Sequence, residues 1–134
     1  MDPALAKLVR ERAHGVFEYR HVPEIYDRPA FELEHIVSRQ HRGPTTAANL
    51  AWACFACNKR KGPNLSGVDE ATGALVPLFH PRRHTWLRHF RWNGPLLVGR
   101  TPIGRATIAV LGINLPLRVR LRHELIEEGL LPND

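Results

Sequence analysis

Between Phe31 and Gly62 the sequence changes its pattern at each turn of the chain, and that order restricts the fold more than any other feature. Phe31 to Val37 alternates in part between apolar and polar residues, which predicts a strand. Ser38 to Ala48 is rich in turn formers, with Gly43-Pro44 among them, and predicts a loop. Leu50 to Ala53 is short and apolar, fit to be a second strand paired with the first. Phe55 to Lys61 reads as a short helix stopped by Gly62-Pro63. The expected core is therefore strand, loop, strand, helix.

The flanks carry further signals. Asp2-Pro3 supplies a cap and a first-turn proline for a helix that runs toward Gly15. Val16 to Pro29 reads as irregular, broken by Pro23 and Pro29. Beyond Asn64, Asp69 to Gly73 predicts a turn and Leu75 to Phe79 a strand. Pro81 to Phe90 predicts a helix burying Trp86 and Phe90, and Asn93-Gly94-Pro95 a turn between two short apolar runs. Thr101-Pro102 opens a helix through Leu111, stopped by Gly112. Leu117, Leu121 and Leu125 fall on one face of a final helix that closes near Gly129. There is no internal repeat and no low-complexity segment. The expectation is an α+β protein of one domain over 1–134: a core at 31–62, an N-terminal helix, and an extension of helices and short strands at 63–134 packed on the core.

A chain of 134 residues buries a core without disulfide or metal staples. No apolar run approaches the ~18–20 residues of a membrane span, and the N-terminus lacks a signal-peptide pattern. A cytoplasmic protein with no membrane partner is expected. The net charge of +6, with Arg far outnumbering Lys, favours a polyanionic partner through bidentate phosphate contacts and counterion release. Charge alone is equally compatible with a basic protein that binds no nucleic acid. Cys54 and Cys57 are the only cysteines. Two thiols at this spacing are half of a zinc site, a redox pair, or small buried residues.

Three groups in this stretch suit phosphodiester hydrolysis. The reaction requires activation of water, stabilisation of charge on phosphorus and support for the departing 3′ oxygen. A neutral imidazole serves the first need, and a hard divalent ion on oxygen ligands serves the others. Glu34-His35 offers a carboxylate and an imidazole, and Asn58 a carboxamide oxygen. Glu34 and His35 are adjacent, so a regular strand would send them to opposite faces unless it ends or bends there.

The ordered set Glu34-His35, Asn49-Leu50 and Cys54-x-x-Cys57-Asn58-x-x-Lys61-Gly62 resembles the HNH endonuclease signature, with His35, Asn49 and Asn58 in the name-giving positions. The resemblance implies a ββα-metal fold and an enzyme that cuts nucleic acid. It implies His35 as general base, Glu34 and Asn58 as ligands of one Mg²⁺ or Mn²⁺, and Asn49 as the brace of the loop that orients His35. It also implies 5′-phosphate and 3′-hydroxyl products, with DNA as the favoured substrate, RNA as the alternative, and either a monomer or a homodimer.

Many proteins of this family hold a structural zinc with two Cys-x-x-Cys pairs. Phe17 and Arg20 stand where the first pair would be, so Cys54 and Cys57 are expected to be a vestige, with zinc lost and Phe17 packed in its place. Completion of the site by His14 or His21 is the alternative. The chain also resembles the extension of one bacterial HNH group at Gly62 to Asp69, Pro77 to Arg82 and Trp86 to Phe90, with His80 and His84 replacing what is often Asn and Asp. The likeness spans roughly Leu8 to Asn114. Candidate phosphate contacts are Arg39 and Arg42 after the first strand, Lys59 and Lys61 on the helix, and Arg82 and Arg83 in the extension. Arg118, Arg120, Arg122 and His123 form a weaker candidate face, because nearby glutamates offer ordinary helix ion pairs. The competing functions are a nucleic-acid-binding HNH protein that has lost catalysis, and a redox or metal-transfer protein working through the two thiols.

Overall fold

The computed structural model describes residues 2–23, 26 and 31–132. Residues 24, 25 and 27–30, Pro29 among them, lie outside them. The chain divides into two compact units, one of Met1–Leu65 with His80–His84 and one of Ser66–Phe79 with Thr85–Asp134.

In the first unit, helix α1 covers Pro3–Arg12, and the Asp2 side chain caps it by accepting from the Ala4 N–H. Strand β1 (Phe31–His35) pairs antiparallel with β2 (Leu50–Cys54), setting Leu33 opposite Trp52, Glu34 opposite Ala51 and His35 opposite Leu50. Helix α2 covers Phe55–Lys61 and ends at Gly62, whose φ of 50° is a conformation that side chains disfavour. Every residue of β2 is buried. The two faces of the hairpin are distinguishable by their contacts. Trp52 lies under the Arg10 guanidinium of α1, 5.5 Å from the ring centre, whereas Glu32 and Glu34 reach side chains of α2. The unit's core is Val9, Phe17, Tyr19, Val22, Ile36, β2 and Cys57.

In the second unit, β3 (Ser66–Val68) pairs with β4 (Leu75–Pro77), and β5 (Phe90–Asn93) pairs with β6 (Leu96–Gly99). Helix α4 (Pro102–Leu111) contacts β3, β4 and β6. Thr101 caps it by accepting from Gly104 N–H, and Gly112 ends it at a φ of 62°. Gly104 itself is obligatory, because a Cβ there would lie 2.1 Å from the carbonyl oxygen of His89.

Two expectations fail here. The helix expected over Pro81 to Phe90 shrinks to α3 (Trp86–His89), because residues 81–84 form a turn and Phe90 begins β5. Phe90 is buried with its ring 5.3 Å from that of Trp86, but as a strand residue. The final helix, α5 (Pro116–Glu127), buries only one end of the expected leucine face, at Leu125. Leu117 is 77% exposed and Leu121 37%, while Arg122 is 2% exposed. The Arg122 guanidinium donates to the carbonyls of Pro95 and Ile113 and to Asn114 Oδ1, and lies over the Trp92 ring. Arg122 is thus a packing residue, and Arg118 donates to the carbonyls of Leu111 and Gly112 at the end of α4.

Candidate functional site

The loop between β1 and β2 is built around Asn49. Its Oδ1 accepts from Val37 N–H at 2.9 Å, and its Nδ2 donates to the carbonyls of Val37 (2.9 Å) and Pro44 (2.8 Å). One buried carboxamide therefore ties both ends of the loop together. The backbone adds the bond from Ile36 N–H to the Asn49 carbonyl at 2.8 Å, which carries the hairpin ladder one step beyond β1. Gly43 makes this closure sterically feasible. A Cβ at that position would sit 1.7 Å from the Val37 oxygen and 2.9 Å from Asn49 Nδ2. Arg39, His41 and Arg42 lie on this loop and are exposed.

His35 is the last residue of β1, immediately before the braced loop. Its Nε2 is 2.9 Å from Thr45 Oγ1, so the loop also fixes the ring. Partial burial, and then the nearby Arg39 charge, lower its pKa below the ordinary imidazole value. The ring is therefore neutral at physiological pH and able to take a proton.

Glu34 points the other way. Its carboxylate lies 2.6 Å from Lys61 Nζ, and both side chains are 2% exposed. Lys61 Nζ also donates to the Ile36 carbonyl at 2.7 Å, and buried Tyr19 interacts with the same carboxylate. Burial raises the Glu34 pKa, while Lys61 and Tyr19 oppose the shift; burial likewise raises that of Tyr19. The strand alternation anticipated for Glu34 and His35 is thus realised, with Glu34 inward against α2 and His35 toward the loop.

Asn58, half-buried on α2, donates from Nδ2 to Glu32 Oε2. Glu32 is not among the residues that the family likeness singles out. Its signal was present nonetheless, since it is two residues from Glu34 and so shares its face of β1. Glu32, Glu34 and Asn58 are all oxygen donors of the kind a hard divalent ion takes. No hydrogen bond among the described residues joins His35 to Glu34 or Asn58. A cleft of about 610 Å³ opens where Glu32 meets Leu33, Trp52 and the α1 residues Ala6, Lys7 and Arg10.

Two of the expected phosphate contacts are corrected. Lys61 is buried and serves as the counter-charge of Glu34, so it has no face to offer a ligand. The Arg82 guanidinium pairs with Glu18 Oε2, and burial followed by the neighbouring Arg12 charge lowers its pKa to about 10. Glu18 Oε1 in turn accepts from Trp52 N–H at 2.9 Å, so Arg82 anchors its turn to β2. Lys59 and Arg83 are exposed, with Lys59 Nζ 5.8 Å from the centre of the Phe55 ring.

Cys54 and Cys57 are both buried. Cys54 has a local task, since its sulfur caps α2 by accepting from Cys57 N–H at 3.2 Å. Phe17 is 1% exposed and Arg20 2%, with the Arg20 guanidinium over the Phe17 ring at 5.1 Å. Neither a phenyl ring nor a guanidinium is a zinc ligand, and two thiols alone do not close a tetrahedral site. His14 and His21 are both exposed on left-handed backbone. Among the described residues, no three of His, Cys, Asp and Glu group as a metal site, and no helix is long and apolar enough to cross a membrane.

The family model for the HNH endonuclease matches residues 20–64. No curated protein and no solved structure matches the chain at a significant level.

Proposed function

We propose that the HNH endonuclease domain this chain carries at residues 20–64 hydrolyses phosphodiester bonds in DNA, with His35 as general base. HNH nucleases act on nucleic acids and generally use a divalent metal ion. The observation that most supports this reading is the Asn49 brace. Three side-chain hydrogen bonds and a glycine without room for a Cβ fix the loop whose Thr45 holds a neutral His35 ring. A loop that served only to connect two strands would need no such closure.

In this reading His35 removes a proton from the attacking water, and exposed Arg39, Arg42 and Lys59 hold the backbone phosphates without reading sequence. Arg83, also exposed, is a further backbone contact. Glu34 and Asn58 would hold Mg²⁺ or Mn²⁺, with Glu32 as an added oxygen donor. When bound, the ion would supply charge stabilisation at the phosphate and at the leaving oxygen. The donor set fits such an ion in kind, provided the Lys61 ammonium yields its place beside Glu34.

Purified protein with supercoiled plasmid tests the proposal. Relaxation or linearisation in Mg²⁺ or Mn²⁺, abolished by EDTA, is expected. Salt-sensitive DNA binding with no cleavage in either metal would instead support a binding module that has lost catalysis.

A further inference from the structure

We infer that His80 is a further phosphate contact of the HNH unit, donating a hydrogen bond from Nε2 to the DNA backbone. The inference rests on the proposed nuclease reading. His80–His84 lies well downstream in sequence yet clusters with residues 1–65. Arg82 pins that segment by pairing with Glu18, whose other oxygen is held by the β2 backbone at Trp52. The turn is closed internally, since the N–H groups of Arg83 and His84 both donate to the His80 carbonyl, at 3.1 and 2.9 Å. A rigid turn anchored to the strand of the active hairpin is a suitable base for a contact residue.

The chemistry of His80 follows from its hydrogen bonds. Its Nδ1 accepts from the Arg82 N–H at 3.1 Å, and His84 Nδ1 accepts from the His80 N–H at 2.9 Å. A ring nitrogen that accepts an N–H carries no proton of its own, so the neutral His80 ring must carry its proton on Nε2. The fold thereby selects the tautomer that donates. A ring in this tautomer cannot ligate a cation through Nε2, but it suits a phosphate oxygen. Its surroundings agree. The ring is half-buried, and burial, then the Arg83 and His84 charges and, least, Lys61 lower its pKa below the ordinary imidazole value. Among the described residues, no hydrogen bond claims Nε2.

The test is binding of a fluorescein-labelled DNA duplex in EDTA, with plasmid relaxation in Mg²⁺ run in parallel. His80→Ala should weaken binding about tenfold, the size of a lost hydrogen bond to a charged group, and His80→Gln should stay within about threefold by placing an amide N–H near the Nε2 position. If His80→Ala melts early, His80→Asn takes its place. It keeps an acceptor for the Arg82 N–H, lacks the Nε2 donor, and should bind as weakly as Ala. Binding by His80→Ala or His80→Asn equal to wild type would overturn the inference, as would His80→Gln as weak as Ala in a protein of native melting temperature. DNA binding by wild type with no relaxation would sink the nuclease reading alone, leaving the binding series to decide on His80.

Discussion

Both units of this protein bury charge, but they use it differently. In the unit of residues 1–65 and 80–84, Lys61 and Glu34 form a closed ion pair with Tyr19 and the Ile36 carbonyl, directly behind the strand that ends in His35. In the unit of residues 66–79 and 85–134, Arg122 is buried against carbonyls at 95 and 113 and the Trp92 face, and Arg105 forks onto Asp69 at 2.7 and 3.0 Å. The second arrangement fastens turns to helices. The first holds an acidic group of the expected metal set at low exposure, where removal of its partner is felt strongly. Buried charge is thus scaffolding in one unit and lies among the proposed reacting groups in the other.

Breaking each pair separately sharpens this contrast. Lys61→Met strands the Glu34 carboxylate and should cost about 3–5 kcal/mol of stability, read as a lower urea midpoint; adding Glu34→Gln should recover part of the loss. Arg122→Met leaves its carbonyl acceptors unpaired and should cost about 3 kcal/mol, without altering cleavage by the protein that remains folded. Asn49→Ala should cost about 2 kcal/mol, because two backbone groups of Val37 and the Pro44 carbonyl lose their partner, and it should slow cleavage more than its effect on melting explains.

Smaller effects come from the exposed charges. Cleavage should rise with pH along an acid limb below the ordinary imidazole pKa, since the base acts when unprotonated and His35 is held below that value. Arg39→Ala removes one of the two causes, so the limb should move toward higher pH. Arg39→Ala and Arg42→Ala should each also reduce the slope of log binding constant against log salt by about one. Lys61→Ala, once corrected for stability, should leave that slope unchanged.

Much of the fold was legible because its signals are local. Residues 55–61 were read as a helix from composition and the Gly62 stop, and α4 from Thr101-Pro102 and Gly112; both agree with the structure. The ladder of β1 and β2 followed from alternation and from the run of apolar residues. Partners distant in sequence were not legible. Arg122 has its acceptors at 95, 113 and 114, so periodicity gave Leu117 and Leu121 a burial they do not have. Lys61 looked like a phosphate contact because it follows Lys59 and Arg60, yet it lies on the side of α2 that faces β1. The turn at 80–84 was hidden because the sequence does not reveal that Glu18 awaits Arg82. In the site, the Asn49 brace was anticipated through the family likeness alone, and Glu32 needed the strand's two-residue period applied to both glutamates.

The most direct test of the account is single-turnover plasmid relaxation by wild type and His35→Ala, in Mg²⁺ and in EDTA, with DNA binding measured on the same samples. Wild type should relax the plasmid only with metal, and His35→Ala should be slower by about 10²–10⁴-fold while binding DNA as wild type does. Equal relaxation by the two proteins would contradict the assignment of His35 as the base on which the proposed reaction depends.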